Sequence, residues 1–117
     1  MRKAETAARP DATAAVVVLA TAPSQEVAER IVTIIVEERL AACGSIVPGV
    51  TSIYRWQDAV QKDAEVLIVF KTERASARGL ITRMTELHPY DVPEALVLPV
   101  VEGLPSYLAW IAENIDG

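Results

Sequence analysis

Three strand-length runs limit this chain more than any other feature. They are Val16-Val-Val-Leu-Ala20, Val66-Leu-Ile-Val-Phe70 and Leu96-Val-Leu98. Side chains in a strand alternate between the two faces of a sheet, so a strand with one face in water should alternate apolar and polar. These runs are apolar on both faces. Whatever sheet they form must be covered on both sides.

The rest of the chain is arranged around residues 40–56, LAACGSIVPGVTSIYRW. This stretch leaves a helix, holds the only cysteine, bends at Pro48-Gly49 and runs on as an alternating strand to Trp56. Val50, Ser52, Tyr54 and Trp56 share one face of that strand, and Thr51, Ile53 and Arg55 share the other. Proline donates no ladder hydrogen bond, which places the strand at a sheet edge or puts a bulge at Pro48.

Taken in order, residues 1–13 are polar and alanine-rich without apolar periodicity and read as a flexible tail; residues 14–117 read as one domain. Strand one covers 14–22. Arg2 and Lys3 ahead of AAVVVLATA mimic a signal peptide, but Glu5, Asp11 and the shortness of the run favour a strand. Ser24 is a good N-cap for a helix over 25–42, with Val27, Ala28, Ile31, Val32, Ile35, Val36 and Leu40 at helical spacing. Gly44 follows and can end the helix or start the next strand. Strand two covers 45–56, and Gln57-Asp58-Ala59 reads as a hairpin turn. Strand three covers 60–72, a second helix 76–87 ends at Pro89, and strand four covers 95–101. Pro105 opens a last helix, with Leu104, Leu108 and Ile111 expected inward.

The order β-α-β-β-α-β with a C-terminal helix, together with right-handed crossovers, gives an α+β, ferredoxin-like sheet in spatial order 4-1-3-2. Both main helices of such a fold lie on one face. Burying a Val or Leu is worth roughly 1.5–3 kcal/mol, so a bare second face of this composition is a large exposed patch. The short third helix cannot hide all of it, and a homo-oligomer is expected to close the remainder.

A net charge of −5 with scattered cations argues against nucleic acid as a partner. No run reaches the ~18 apolar residues of a membrane span. A single cysteine excludes an internal disulfide framework and suits a reducing, cytoplasmic setting. Candidates for chemistry are few. Cys43 offers a thiolate nucleophile or soft metal ligand, or simply a small buried side chain. His88, the only histidine, offers a metal ligand, a general base or a helix C-cap, and Asp91 and Glu94 follow it in one loop. His88, Cys43, Asp91 and Glu94 are the candidate metal set, although no C-x-x-C or H-x-x-x-H spacing supports it. Lys71, Arg55 and Arg74 offer a small anion site or a solvated surface. Tyr54, Trp56, Lys71, Tyr90 and Trp110 are the candidates for an inter-subunit pocket or interface. No phosphate-binding glycine loop or nucleophile elbow is present, and the enzyme reading requires Cys43 and His88 to meet.

Several of these residues also carry a family resemblance, spanning about Val16 to Ile111. The motifs are Thr21-Ala-Pro23, Leu40-Ala-Ala-Cys43, Ile46-x-Pro48-Gly49, Ser52-x-Tyr54-x-Trp56, Lys71-Thr72, His88-Pro-Tyr-x-x-Pro-Glu94 and Tyr107-Leu-x-Trp110. Together they resemble the CutA divalent-cation tolerance family. The resemblance implies a non-enzymatic, PII-like homotrimer of ferredoxin-like subunits linked to tolerance of copper and other divalent ions, with no cofactor required. Members credited with copper binding carry a Cys in the first strand and a His-His pair ending the second helix. The matching positions here are Ala20 and Leu87-His88, so only His88 carries over. Asp58 stands where the family usually has Gly.

Overall fold

A computed structural model describes residues 13–116. The sequence-derived tail, residues 1–13, lies outside the described residues except for Thr13. The elements are β1 (Ala15–Ala22), α1 (Gln25–Glu37), β2 (Cys43–Trp56), β3 (Ala59–Glu73), α2 (Arg74–Leu87), β4 (Leu96–Pro99) and α3 (Pro105–Glu113). They form one four-stranded antiparallel sheet in the order β2-β3-β1-β4, the expected ferredoxin-like arrangement. The run that resembles a signal peptide is the strand β1, paired on both sides.

Register settles which side chains share a face. Val16, Val18, Ala20 and Ala22 of β1 lie opposite Thr72, Phe70, Ile68 and Val66 of β3, and all eight are buried. This face packs under α1 and α2, whose Ile31, Ile35, Leu80 and Met84 are fully buried. Each such side chain adds roughly 1.5–3 kcal/mol. Ser24 caps α1 by accepting the Val27 N–H at 3.2 Å, as its position suggests. Thr72, the one polar residue in that sheet interior, donates its hydroxyl to the Leu40 carbonyl at 2.8 Å.

Helix α1 stops five residues before the expected end. Glu38 is the C-cap and Arg39 takes a left-handed φ of 61°. The Arg39 N–H reaches the Val36 carbonyl and the Leu40 N–H reaches Ile35, the paired bonds of a Schellman motif. Glycine usually fills that position. Here the arginine side chain is instead tied to Asp116 and to the carbonyls of Glu113 and Ile115. Leu104, expected inward, is the N-cap of α3 and is 68% exposed, while Ile111 is buried as expected.

The second face of the sheet is only partly covered. Helix α3 and the residues after it pack one end through Ile111 and Ile115 against Ala15 and Ala42. Beyond it, Val17, Leu19, Leu67 and Val69 are half-buried, and Leu96, Leu98 and Val47 are exposed. The strand pattern's double-sided apolarity therefore appears in the fold as a bare apolar face.

Candidate functional site

Strands β2 and β3 outrun the sheet. β1 pairs only with residues 66–73 of β3, so residues 59–65 pair with residues 50–56 alone. A two-stranded ribbon of this kind has little stability of its own in water. Its tip turns on two residues, Gln57 and Asp58, both with left-handed φ (52° and 64°). That is the signature of a type I′ hairpin, in which Asp is tolerated where Gly is commoner. Ala59, read as part of the turn, instead pairs with Trp56.

The Pro48-Gly49 bend is a β-bulge. Val47 faces Leu67 and Val50 faces Glu65, so Pro48 and Gly49 together oppose Val66, and Gly49 takes φ 80°. The extra residue changes which side chains face where. Before the bulge the even residues Gly44 and Ile46 lie on the helix-covered face. After it the even residues Val50, Ser52, Tyr54 and Trp56 lie on the bare face, opposite Glu65, Asp63, Gln61 and Ala59. The bulge thus delivers both aromatic residues of the arm to the uncovered side.

There they meet the loop after α2. A groove of about 460 Å³ is lined by Tyr54, Trp56 and Tyr90, by the carboxylates Glu65, Asp91 and Glu94, and by Thr21 and Val92. The Tyr90 hydroxyl donates to Glu65 at 3.0 Å, and the Tyr54 hydroxyl donates to Asp63. Burial, then the bond to Glu65, pushes the Tyr90 phenol up to about 12. The bond to Asp63 raises that of Tyr54. Glu65, Asp63 and Thr21 were not legible as site residues in the sequence. The signal that finds them is the alternation of β1 and β3 once register is known.

His88 lies behind this groove and is buried. Its Nδ1 accepts the Tyr90 N–H at 3.1 Å, which leaves the proton on Nε2, 2.8 Å from the Thr21 carbonyl. The β4 register ends at Leu19, so past the end of that strand the imidazole supplies a donor to the edge of β1. Both ring nitrogens are engaged, and neither is free to ligate a metal.

Cys43 is elsewhere. It pairs with Lys71 on the same sheet face at the α3 end, its Sγ 3.6 Å from the Lys71 Nζ, which also bonds Ser45 Oγ. Tyr107 lies beside it, its phenol raised by burial and then by Cys43. Tyr107 stacks on Trp110 at 5.5 Å between ring centroids. Lys71 and the Leu67–Thr21 pair are four residues apart along β3, about 13 Å. Cys43 and His88 thus serve different ends of the face and do not form a nucleophile–base pair. The residues present do not fit a copper centre built on those two side chains, and among the described residues no three His, Cys, Asp or Glu side chains converge as a metal site. Arg55 points to the opposite side of the ribbon from Trp56, so Lys71, Arg55 and Arg74 do not gather into an anion site.

The bare face therefore has two poles, the Cys43–Lys71–Tyr107–Trp110 cluster and the aromatic–acidic groove, with apolar sheet between. This fold and surface define a class of small α+β subunits with an arm and an uncovered sheet. The family model described as "CutA1 divalent ion tolerance protein" matches residues 16–114, and the chain belongs to that family. It is 54% identical over 98 residues to the divalent-cation tolerance protein CutA of Thermus thermophilus, covering 84% of this chain and 95% of that one. Among solved structures it resembles CutA from Xylella fastidiosa (TM-score 0.87, 40% identity, 89% and 100% of the two chains). It also resembles a structure described as the periplasmic divalent cation tolerance protein CutA from Archaeoglobus fulgidus (TM-score 0.85, 30% identity, 87% and 99% of the two chains). The family is one of cation tolerance and not a known enzyme family.

Proposed function

We propose that this chain is a non-enzymatic divalent-cation tolerance protein that works as a cytoplasmic homotrimer, its copies closing over one another's uncovered sheet faces. The observation that carries the reading is that face. Val17, Leu19, Leu67, Val69, Leu96 and Leu98 form a continuous apolar surface that α3 reaches at one end only. The arm beside it carries Trp56 at 58% exposure and suits a grip on a neighbour. Interface roles for Tyr54, Trp56, Lys71, Tyr90 and Trp110 follow from their places at the two poles.

Contact with copper or other divalent ions belongs, in this reading, to the exposed carboxylates Asp91 and Glu94 and is weak. Carboxylate oxygen suits hard cations and holds copper only weakly, and a His88 with both nitrogens engaged contributes nothing. Titration of copper against wild type and His88→Ala tests this. Superimposable curves are expected, and loss of binding in a variant that circular dichroism shows to be folded would restore His88 to the ligand set. Cell fractionation tests the location, since the Archaeoglobus relative is described as periplasmic. No helix among the described residues is long and apolar enough to cross a membrane.

The groove favours a second reading, a trimeric sensor or scaffold that takes a small molecule near the subunit boundary. An ordered organic ligand against Trp56 and Tyr90 in a crystal of the assembled protein would support it.

A further inference from the structure

The groove's lining selects a kind of ligand. Three rings, Tyr54, Trp56 and Tyr90, and three carboxylates, Glu65, Asp91 and Glu94, line it, and no Lys or Arg does. Ring faces and carboxylates both present negative potential. A further observation is independent of charge. Thr21 lines the groove, is only 8% exposed, and its hydroxyl has no hydrogen-bond partner among the described residues. Its carbonyl is taken by His88, but the side chain is left over. A buried polar group without a partner is uncommon and marks a place where a ligand or water completes the bonding.

We infer that the groove binds a protonated organic amine, its alkyl part against the three rings and its ammonium reaching the carboxylate lining and Thr21 Oγ1. The inference rests on the second reading above, and names the ligand class for that pocket. Within one subunit an anion meets three carboxylates and no cation. A neutral molecule leaves the carboxylates unused. A hard divalent ion keeps its oxygen shell and gains little from the rings. An alkylammonium uses all three features, because its charge is attracted to ring faces, its stem is apolar and its N–H groups donate.

The test is calorimetric titration of the full chain with n-butylammonium chloride, n-butanol and magnesium chloride at neutral pH. Wild type, Trp56→Ala, Glu94→Gln and Thr21→Val are compared, with native mass recorded on each sample. Saturable butylammonium binding is expected, with butanol at least about tenfold weaker. Trp56→Ala should weaken butylammonium roughly tenfold, on the scale of a partly desolvated cation–π contact. Glu94→Gln and Thr21→Val should each weaken it several-fold. Equal binding of butanol, absence of butylammonium binding, or binding unchanged in Trp56→Ala would overturn the inference. So would magnesium binding without butylammonium binding, which would assign the groove to metal. An intact oligomer that ignores the amine removes this inference alone, whereas a single-subunit mass removes the reading beneath it.

Discussion

His88→Ala separates a structural histidine from a metal ligand. Truncation removes the donor to the Thr21 carbonyl and the acceptor for the Tyr90 N–H. It also removes a ring packed 4.7 Å from that of Tyr90. Thr21 is buried, so its carbonyl is left where water reaches poorly, at a cost of about 1–3 kcal/mol. The Tyr90 N–H lies in an exposed loop where water substitutes, so its loss costs about 1 kcal/mol or less. A destabilisation of about 2–4 kcal/mol is expected, a fall of roughly 1–2 M in the urea midpoint for a protein of this size. His88→Gln keeps an N–H near the position of Nε2 and should recover about half. The assay is urea unfolding at one fixed subunit concentration, because assembly makes apparent stability concentration-dependent. The reasoning fails if His88→Ala unfolds within about 0.5 kcal/mol of wild type, the range of an ordinary surface change. It fails equally if metal-free wild type and variant match and only added copper separates them.

Arg39→Val should destabilise by about 1–2 kcal/mol, because a β-branched residue is strained at the left-handed φ of 61°. Arg39→Gly should fall within about 1 kcal/mol of wild type in the same unfolding assay, relief of strain partly offsetting loss of the Asp116 pair and of the bonds to the Glu113 and Ile115 carbonyls. Gly44→Ala places a Cβ 2.8 Å from Val32 Cγ1 and 3.2 Å from Phe70 Cδ1, and overpacking of that kind should cost about 1–3 kcal/mol in a thermal melt. In alkali, Tyr90 should ionise near 12, against an ordinary value of 10.0, when phenolate absorbance is followed in wild type and Tyr90→Phe. Its folded pKa lies above the unfolded value, so its contribution to stability is intact below pH 10.0 and is lost as pH rises toward 12. Tyr90→Phe should flatten that part of the curve.

Much of the architecture was legible because one rule, alternation, applied throughout. Unbroken apolar runs placed β1 and β3 centrally, and the prolines placed β2 and β4 at the edges, as the sheet order has them. The end of α1 was not legible, because an arginine at the Schellman position gives no glycine signal. The inward reading of Leu104 failed because Pro105 starts α3 one residue later and leaves Leu104 to cap it. Tyr54, Trp56 and Tyr90 from the interface candidates and Asp91 and Glu94 from the metal candidates line one groove, whereas Lys71 and Cys43 from the same two sets lie together at the other pole. Glu65 and Thr21 were missed, because which side chains share their face is set by the register of β1 and β3. The enzyme reading required Cys43 and His88 to meet, and only the sheet register shows that they sit at opposite ends of the face.

Sedimentation equilibrium at micromolar subunit concentration tests the uncovered face most directly. Wild type should sediment at three times the 12.7 kDa subunit mass, and Leu19→Asp, a charge on the bare face, should shift the mass toward one subunit. A wild-type protein that sediments as a stable single subunit would show that the apolar face needs no second copy.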